Sequence, residues 1–526
     1  MNAAVLVIFG LVWLVFAYFW YGNKIKNKVL KSSDSNITPA NTVNDGIDYV
    51  PTKPAILYGH HFSSIAGAGP IVGPILAFAL FGWVPAMIWI LVGSVFMGAV
   101  HDYTTLIVSA RHKGISIVEI TESVVSKRAS FIFSIFCWLT LVLLLSVFID
   151  LTTRTLVDKP EIVIPTFGIM FVALLFGISV YKLKINVAIA TVIALIMFLG
   201  LILLGDAQPI QLSYDIWLYI LLIYCFVAST LPVWILLQPR DYLSMYLLII
   251  GMALGIIGIV ILHPQINGPA YISFNSKSGP LFPMLFITIA CGALSGFHAV
   301  VSSGTSAKQL RKESDGKIIA FGAMLTEGLV ALLVLALISS VLIWKTDGTV
   351  LPAGRYFFQD LLTQNANIVF GTSLGIVLEK LGIPLFFGIA FGILMLNAFL
   401  ITTLDTTSRL ARYIMEETIG IKLGGIFKNK YFATALGLFF AFLLCQTQGY
   451  KTIWPIFGAS NQLIGTITLF VITTYLMGIK SPKRYTFIPA LIMLAITESA
   501  LFYQMLWSFL PKGQYVLSVV CGLLFA

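Results

Sequence analysis

Long apolar runs recur along the whole chain, and each is about as long as a membrane is thick. The hydrocarbon core of a bilayer is about 30 Å thick, and a helix crosses it in about 20 residues. Of the 526 residues, 59% are hydrophobic and only 10% are charged, so a water-soluble fold would have too little interior to bury the apolar side chains. The sequence therefore predicts an all-α polytopic membrane protein.

Fifteen predicted spans follow from these runs, the last of them short. The first has no basic residue before it and is followed by Lys24, Lys26, Lys28 and Lys31. A cleavable signal peptide has the opposite order, so we expect a retained span with the N-terminus outside. The predicted spans are residues 3–21, 57–80, 84–109, 130–152, 163–181, 185–205, 214–237, 243–262, 282–305, 318–343, 384–408, 432–447, 453–477, 486–510 and 514–526.

The basic residues are concentrated in alternate loops. Cytoplasmic loops of membrane proteins carry an excess of lysine and arginine, and seven alternate loops hold 24 of the 32 basic residues here. This asymmetry supports a multi-pass membrane protein with the N-terminus outside, and it accounts for the net charge of +10 without a nucleic-acid partner. These loops are residues 22–56, 110–129, 182–184, 238–242, 306–317, 409–431 and 478–485.

Two segments at membrane depth are rich in glycine, serine and histidine. They cover residues 59–74 and 290–306, and the first contains Pro70 and Pro74, which lack an N–H donor. Free backbone groups in a bilayer are costly unless they are buried in protein or line a cavity, so we predict two discontinuous helices. Close helix packing through small residues is the structural alternative.

A second pair of similar strings follows these segments at matching places. Asp150 and Arg154 lie two spans after the first segment, and Asp405 and Arg409 lie two spans after the second. Aspartate and arginine at positions i and i+4 share one helix face and can pair. An odd number of spans, seven, separates the two segments, so the halves have opposite orientation. The chain is thus predicted to contain an inverted repeat, which with paired broken helices is typical of secondary transporters. The predicted division is residues 1–56 (first span and linker), 57–281 (first repeat with extra spans) and 282–526 (second repeat and C-terminal spans).

The same strings resemble the carbon starvation protein A (CstA) family. The similar stretches are residues 59–74, 231–243, 286–305 and 454–462, in the same order. The predicted inverted repeat with two discontinuous helices is LeuT/APC-like. The resemblance implies a prokaryotic inner-membrane transporter linked to carbon starvation. It also implies peptides and pyruvate as substrates, with proton symport for the pyruvate-transporting members.

Polar residues inside the spans are candidate functional residues, because such groups are rare there unless paired or functional. The expected ligands are a small carboxylate and a proton or sodium ion, with no cofactor or metal site. Candidate substrate-binding residues are His60, His61, Ser63, Ser64, Gly67, Gly69, Gly296, His298, Ser302, Ser303, Asn461 and Gln462. Candidate coupling-ion residues are Asp405, Thr403, Thr406, Glu327, His101 and Asp102. Candidate gating or structural pairs are formed by Asp150, Arg154, Arg240, Asp241 and Arg409, with Gln238 close by.

Several alternatives stay open at this level. The histidines could anchor helices, and Asn461 and Gln462 could hold helices together. Asp405 with its threonines would suit sodium, whereas the same carboxylate could carry a proton. The expected function is cation-coupled uptake of pyruvate or peptides; the alternatives are a sodium-coupled peptide transporter and, further from the pattern, a channel. A membrane enzyme is not indicated, since no nucleophile–base pair is present, and oligomeric state is left open.

Overall fold

The computed structural model describes residues 1–525, except 47, 182, 232, 347, 349–350, 352–353, 421–423 and 448. The side chains of residues 180–181, 187, 233–239 and 417–418, which include Gln238, also lie outside the description. The described chain is helical apart from its connections and one strand pair, in which Asn275–Ser276 runs antiparallel to Gly279–Pro280. This composition confirms the prediction of an all-α protein.

The first half of the chain forms twelve α-helices in the described residues. They are α1 (Ala3–Lys24), α2 (Pro39–Thr42), α3 (Pro54–Ile65), α4 (Gly69–Phe81), α5 (Trp83–Gly93), α6 (Ala99–Arg111), α7 (Ile117–Val124), α8 (Lys127–Asp158), α9 (Val163–Tyr181), α10 (Val187–Ala207), α11 (Tyr214–Thr230) and α12 (Val233–Leu262).

The second half continues with shorter pieces before the long helices resume. They are α13 (Leu281–Thr288), α14 (Gly296–Val301), α15 (Ala307–Gln309), α16 (Ala323–Val341), α17 (Phe358–Gln364), α18 (Ala366–Lys380), α19 (Leu385–Ile414), α20 (Lys430–Thr447), α21 (Tyr450–Gly478), α22 (Arg484–Tyr503) and α23 (Tyr515–Phe525). Wide π-helical turns extend or join several of them, at Ile25–Leu30, Ser94–Gly98, Ser302–Ser306, Lys317–Gly322, Met415–Ile419 and Gln504–Phe509.

The described residues contain 11 helices long and apolar enough to cross a membrane, or up to 12 if the bent pair α3 and α4 counts as one span. Two further apolar helices, Tyr214–Thr230 and Tyr515–Phe525, are shorter. A multi-pass membrane protein is therefore confirmed. The full count of fifteen crossings stays a prediction.

No membrane span was predicted between residues 343 and 384, but this connection is not a plain loop. Two helices, α17 and α18, occupy it, and α18 is almost entirely buried. Its burial depends on glycine: Gly371 and Gly375 on α18 lie against Gly392 and Gly388 on α19, so the two backbones touch. Because α18 is short, its apolar run falls below the length that predicts a membrane span.

Backbone contacts define one end of the bundle around the N-terminus, which we call the N face. Ile266 N donates to Met1 O over 2.8 Å, and Asn267 N donates to Ser339 O over 2.8 Å. Trp83, which begins α5, is bonded to the same connection. The N-terminus, the start of α5, the α12–α13 connection and the end of α16 therefore lie together.

The opposite end, which we call the basic face, collects four of the seven basic loops. Arg111 Nε donates to Glu313 Oε1 over 2.7 Å, and Glu313 Oε2 accepts from Ser33 N over 3.2 Å. Ser481 Oγ donates to Val29 O over 2.6 Å. Loops that were assigned to the same side from their charge thus contact one another.

Candidate functional site

Helices α3 and α4 form one discontinuous helix, bent by 42° at residues 66–68. The break lies against a second one: a Cβ on Gly69 would lie 2.4 Å from Cys291 Sγ, and one on Gly73 would lie 2.8 Å from Thr288 O. Only glycine permits these approaches. The two segments predicted to be broken therefore meet in the interior of the bundle.

The second break separates α13, which ends at Thr288, from α14, which begins at Gly296. Its free carbonyl groups are bonded by side chains from neighbouring helices. Trp89 Nε1 donates to Ile289 O over 3.1 Å, and Trp454 Nε1 donates to Thr288 O over 3.2 Å. Gln462 Nε2 donates to the carbonyl of Phe286, which lies one turn earlier, over 2.9 Å. Buried backbone acceptors need such partners, and here the indole and amide groups supply them.

Asn461 occupies the N-terminus of α14. Its Oδ1 accepts from Phe297 N over 2.9 Å, and its Nδ2 donates to Ser295 Oγ over 2.9 Å. Side-chain oxygens that bond the first free N–H groups of a helix act as N-caps, and Asn461 does this from a different helix. The N–H group of Phe297 is therefore already bonded by the protein itself.

A histidine between two carboxylates lies just beyond this N-terminus. His298 Nδ1 is 2.9 Å from Asp102 Oδ2, and His298 Nε2 is 3.3 Å from Glu327 Oε2. All three side chains have no exposed surface, and the carbonyl of Ile65, at the end of α3, lies next to the His298 ring. We call Asp102, His298 and Glu327 the carboxylate–histidine triad. Three titratable groups in contact at the junction of two broken helices can accept, hold and pass a proton.

His101 and His61 adjoin this triad. His101 Nδ1 is 2.7 Å from the second oxygen of Asp102, and His61 Nδ1 is 2.8 Å from Ser306 Oγ. The Nε2 atoms of both rings, and that of His60, are buried without a hydrogen-bond partner among the described residues. Four of the six histidines of the chain thus lie in the interior, near the breaks.

Each member of the triad is within a few residues of a wide π-helical turn. Asp102 follows the turn Ser94–Gly98, His298 precedes Ser302–Ser306, and Glu327 follows Lys317–Gly322. Single π turns inside α-helices occur frequently at functional sites. No pattern in the sequence predicted these π-helical turns.

Asp405 lies in a separate buried cluster, which we call the Arg240 cluster (Arg240, Asp405, Tyr224 and Asp241). Arg240 Nη1 donates to Asp405 Oδ2 and, over 2.7 Å, to the Tyr224 hydroxyl, which in turn donates to Asp405 Oδ2 over 2.7 Å. Arg240 Nη2 is 3.4 Å from Asp241 Oδ1. Among the described residues, no hydrogen bond or ion pair joins this cluster to the triad, so the coupling candidates fall into two groups.

The two arginines of the repeated strings have different partners. Arg154 Nε donates to Asp150 Oδ2 over 2.9 Å, which is the expected i,i+4 pair. Arg409 instead donates to the carbonyls of Ala228 and Leu231, over 2.7 and 2.8 Å, at the end of α11. An Asp405–Arg409 pair, which was the structural alternative for Asp405, is not formed.

Most hydroxyl candidates bond their own helix. The side chains of Ser63, Ser64, Ser303 and Thr403 each donate to a carbonyl four residues earlier. Ser303 Oγ also accepts from the backbone of α7. Ser302 Oγ is buried and has no partner among the described residues.

Two other candidates lie at close contacts between helices. A Cβ on Gly67 would lie 2.8 Å from Thr403 Oγ1, which places α19 against the first break. Gly296 packs against α21 at Asn461. Thr406 is buried on α19, one residue beyond Asp405.

Residues that sequence reasoning missed complete both aspartate sites. Tyr214 OH donates to Asp150 Oδ1 over 2.5 Å, and Tyr450 N donates to Asp150 Oδ2 over 2.7 Å. Similarly, Tyr224 OH donates to Asp405 Oδ2 over 2.7 Å. Tyrosines in apolar helices are common, so nothing in their spacing distinguished these from packing residues.

Family and sequence comparisons with known proteins point to the same family. The profile of a family described as "Carbon starvation protein CstA" matches residues 2–369 and 359–500. Similar relatives include "Peptide transporter CstA" of Bacillus subtilis (33% identical, 96% of this chain and 90% of that protein) and "Peptide transporter CstA" of Escherichia coli (34% identical, 93% and 78%). "Pyruvate/proton symporter BtsT" of Escherichia coli is 33% identical, over 93% of this chain and 80% of that protein.

A solved structure that the chain resembles is a mutant of the manganese transporter of Eremococcus coleocola. It is 11% identical, with a TM-score of 0.48 over 92% of this chain and 96% of that one. The relatives are named as transporters, and the expectation of a transporter rather than an enzyme is confirmed.

Proposed function

Because this chain belongs to the carbon starvation protein CstA family, we propose that it is a secondary active transporter that couples the uptake of small carboxylates to the entry of protons. The proposal of proton coupling rests on the carboxylate–histidine triad at the junction of the two broken helices. His298 can bind a proton from either carboxylate, and all three groups are sealed from solvent. A proton bound there changes the charge of the interior at the point where the broken helices meet.

The proposed substrates share a carboxylate. One relative is named for pyruvate and protons and several are named for peptides, and both classes of compound carry this group. We place the substrate between the two breaks, near Gly67, Gly69 and Ser302, where helix N-termini favour a negative charge. Asn461 already bonds one N–H of α14, and in the first turn of α4 Pro70 has no N–H and Ile71 N donates to Ala68 O. The buried Ser302 hydroxyl, which has no partner among the described residues, is therefore the better candidate to bind the substrate carboxylate.

The proposed architecture is an inverted repeat of residues 57–281 and 282–526 that works by alternating access. Support comes from the contact between the two breaks and from the matching positions of Asp150 and Asp405 on α8 and α19. We propose fifteen crossings, with the N face outside and the basic face in the cytoplasm, because the basic loops hold most of the lysine and arginine. The protein would then reside in the inner membrane of a prokaryote.

The test is uptake of labelled pyruvate and a labelled dipeptide into proteoliposomes, under an imposed proton gradient and then a sodium gradient. We expect concentrative uptake of at least one substrate with protons and none with sodium. Glu327→Gln should abolish concentrative uptake while keeping substrate exchange across the membrane, because exchange needs no net proton movement. Glu498→Gln removes a half-buried glutamate on α22, outside the triad, and is the matched control.

Concentrative uptake by Glu327→Gln at the unaltered rate would contradict the proposed coupling site. Uptake driven only by sodium would favour the sodium-coupled alternative. Dipeptide uptake without pyruvate uptake would enlarge the proposed substrate and leave the coupling site in place.

A further inference from the structure

Asp405 lies in the buried part of α19, where the sequence suggested a sodium site. Asp405 has no exposed surface, and Thr402 lies one turn before it on the same face of α19, close to Asp241. Buried carboxylates next to a threonine hydroxyl offer oxygen ligands of the kind that bind a hard cation. A positive charge at this position would be stabilised by the Asp405 carboxylate.

The protein supplies that charge itself, from α12. The Arg240 side chain is 1% exposed, and its Nη1 bonds both Asp405 and the Tyr224 hydroxyl. Asp241 adds a second carboxylate at 3.4 Å from Nη2. Taking a cation out of water costs several kcal/mol unless it is paired, so a guanidinium at this depth depends on these carboxylates, and they depend on it.

A guanidinium differs from a bound ion in two respects. It keeps its charge at every physiological pH, so it cannot serve as a proton carrier, and it cannot leave for solution. We infer that Arg240 is a resident cation at the position where a coupling sodium ion would otherwise bind, and that transport by this chain therefore requires no sodium. The inference rests on the proposed transport function, but its structural part can be tested without transport.

The cluster retains capacity for another ligand if the guanidinium is removed. Asp405 Oδ1 and Asp241 Oδ2 are buried and accept no hydrogen bond from the described residues. Removing the Arg240 side chain would leave these oxygens and the two that it now bonds without a cation. A small cation from solution should bind there with a gain in stability, since a ligand that binds only the folded state stabilises it.

The first experiment measures thermal unfolding of the purified Arg240→Ala variant in detergent, with choline, sodium or guanidinium chloride at equal millimolar concentrations. We expect a lower melting temperature than in the wild-type protein, partly restored by guanidinium or sodium but not by choline. Arg311→Ala removes an exposed arginine paired with Asp315 and should show no such difference among the three salts. Equal melting temperatures of Arg240→Ala in all three salts would overturn the resident-cation assignment.

The second experiment measures proton-driven uptake in sodium and in choline media. Wild-type uptake should be the same in both, and Arg240→Lys should keep a larger share of it than Arg240→Gln, because lysine retains the charge. Uptake by Arg240→Ala should fall about tenfold or more and recover in part with guanidinium. A wild-type protein that needs sodium, or an Arg240→Gln variant as active as Arg240→Lys, would overturn the inference. If no variant or wild-type protein transports either substrate, the proposed function fails, while the unfolding result still decides the role of Arg240.

Discussion

The same short string, aspartate followed four residues later by arginine, forms two different sites in this protein. The Asp150 carboxylate pairs with its own Arg154, whose side chain is 42% exposed. In the interior, Arg409 bonds backbone carbonyls, and Asp405 pairs with Arg240 from another helix. Both aspartates are buried, but a half-exposed arginine keeps part of its hydration, whereas a buried arginine depends on every polar partner within reach. The surroundings, rather than the string, therefore decide the partners.

The largest expected difference between the two sites concerns the aspartates. Asp405→Asn leaves the Arg240 guanidinium buried with a weakened partner, and breaking a buried pair in this way costs about 3–5 kcal/mol. Asp150→Asn should cost about 1–2 kcal/mol, because Arg154 can be hydrated and the amide oxygen still accepts one bond. Thermal unfolding in detergent, followed by size-exclusion profiles, compares them. Equal losses would show that burial does not separate the two sites.

A smaller difference is expected for the arginines of the two strings. Arg409→Ala leaves the carbonyls of Ala228 and Leu231 without their donor in the interior, which costs about 1–3 kcal/mol. Arg154→Ala removes a half-exposed partner of Asp150, whose buried carboxylate keeps its bonds from Tyr214 and Tyr450, so the expected cost is about 1 kcal/mol. The same unfolding assay at low and high salt sharpens the contrast, since only the Arg154 effect should shrink with salt. A salt-dependent Arg409 effect would contradict its role as a partner of carbonyl groups.

The smallest expected difference lies in the tyrosines. The Tyr224 hydroxyl accepts from Arg240 and donates to Asp405, so Tyr224→Phe removes two hydrogen bonds and should cost about 1–3 kcal/mol. Tyr214→Phe removes one bond, to Asp150, and should cost about 1 kcal/mol. A larger loss for Tyr214→Phe would reverse the ranking of the two sites.

Properties that depend on neighbouring residues in the sequence were predictable. Hydropathy predicted a polytopic helical membrane protein, and the clusters of glycine and serine predicted both breaks, because both depend on consecutive residues. The Arg154–Asp150 contact was also predictable, since the two residues lie one helical turn apart. The short helix α18 was missed because its apolar stretch is brief and its burial depends on glycine contacts with α19.

Properties that depend on distant partners could not be predicted. Arg240 and Asp405 are 165 positions apart, and the sequence suggested Arg409 as the partner of Asp405 because it is nearer. Asn461 was a candidate for substrate binding, yet it caps α14 from another helix. Likewise, His298, Asp102 and Glu327 were each singled out, but only the fold brings them into contact and separates them from Asp405.

The wide turns beside the triad give its three helices a common mechanical property. A π turn holds one residue more than an α-turn, and that extra residue can pass along the helix as each hydrogen bond is exchanged for the next. Passage by a single position turns the side chains in between by about 100° around the axis while the rest of the helix stays in place. Asp102, His298 and Glu327 lie four or five residues from these turns, so a turn that travels that far along its helix re-aims the side chain that it passes. The side chains of the triad then change their hydrogen-bond partners while the long helices stay straight.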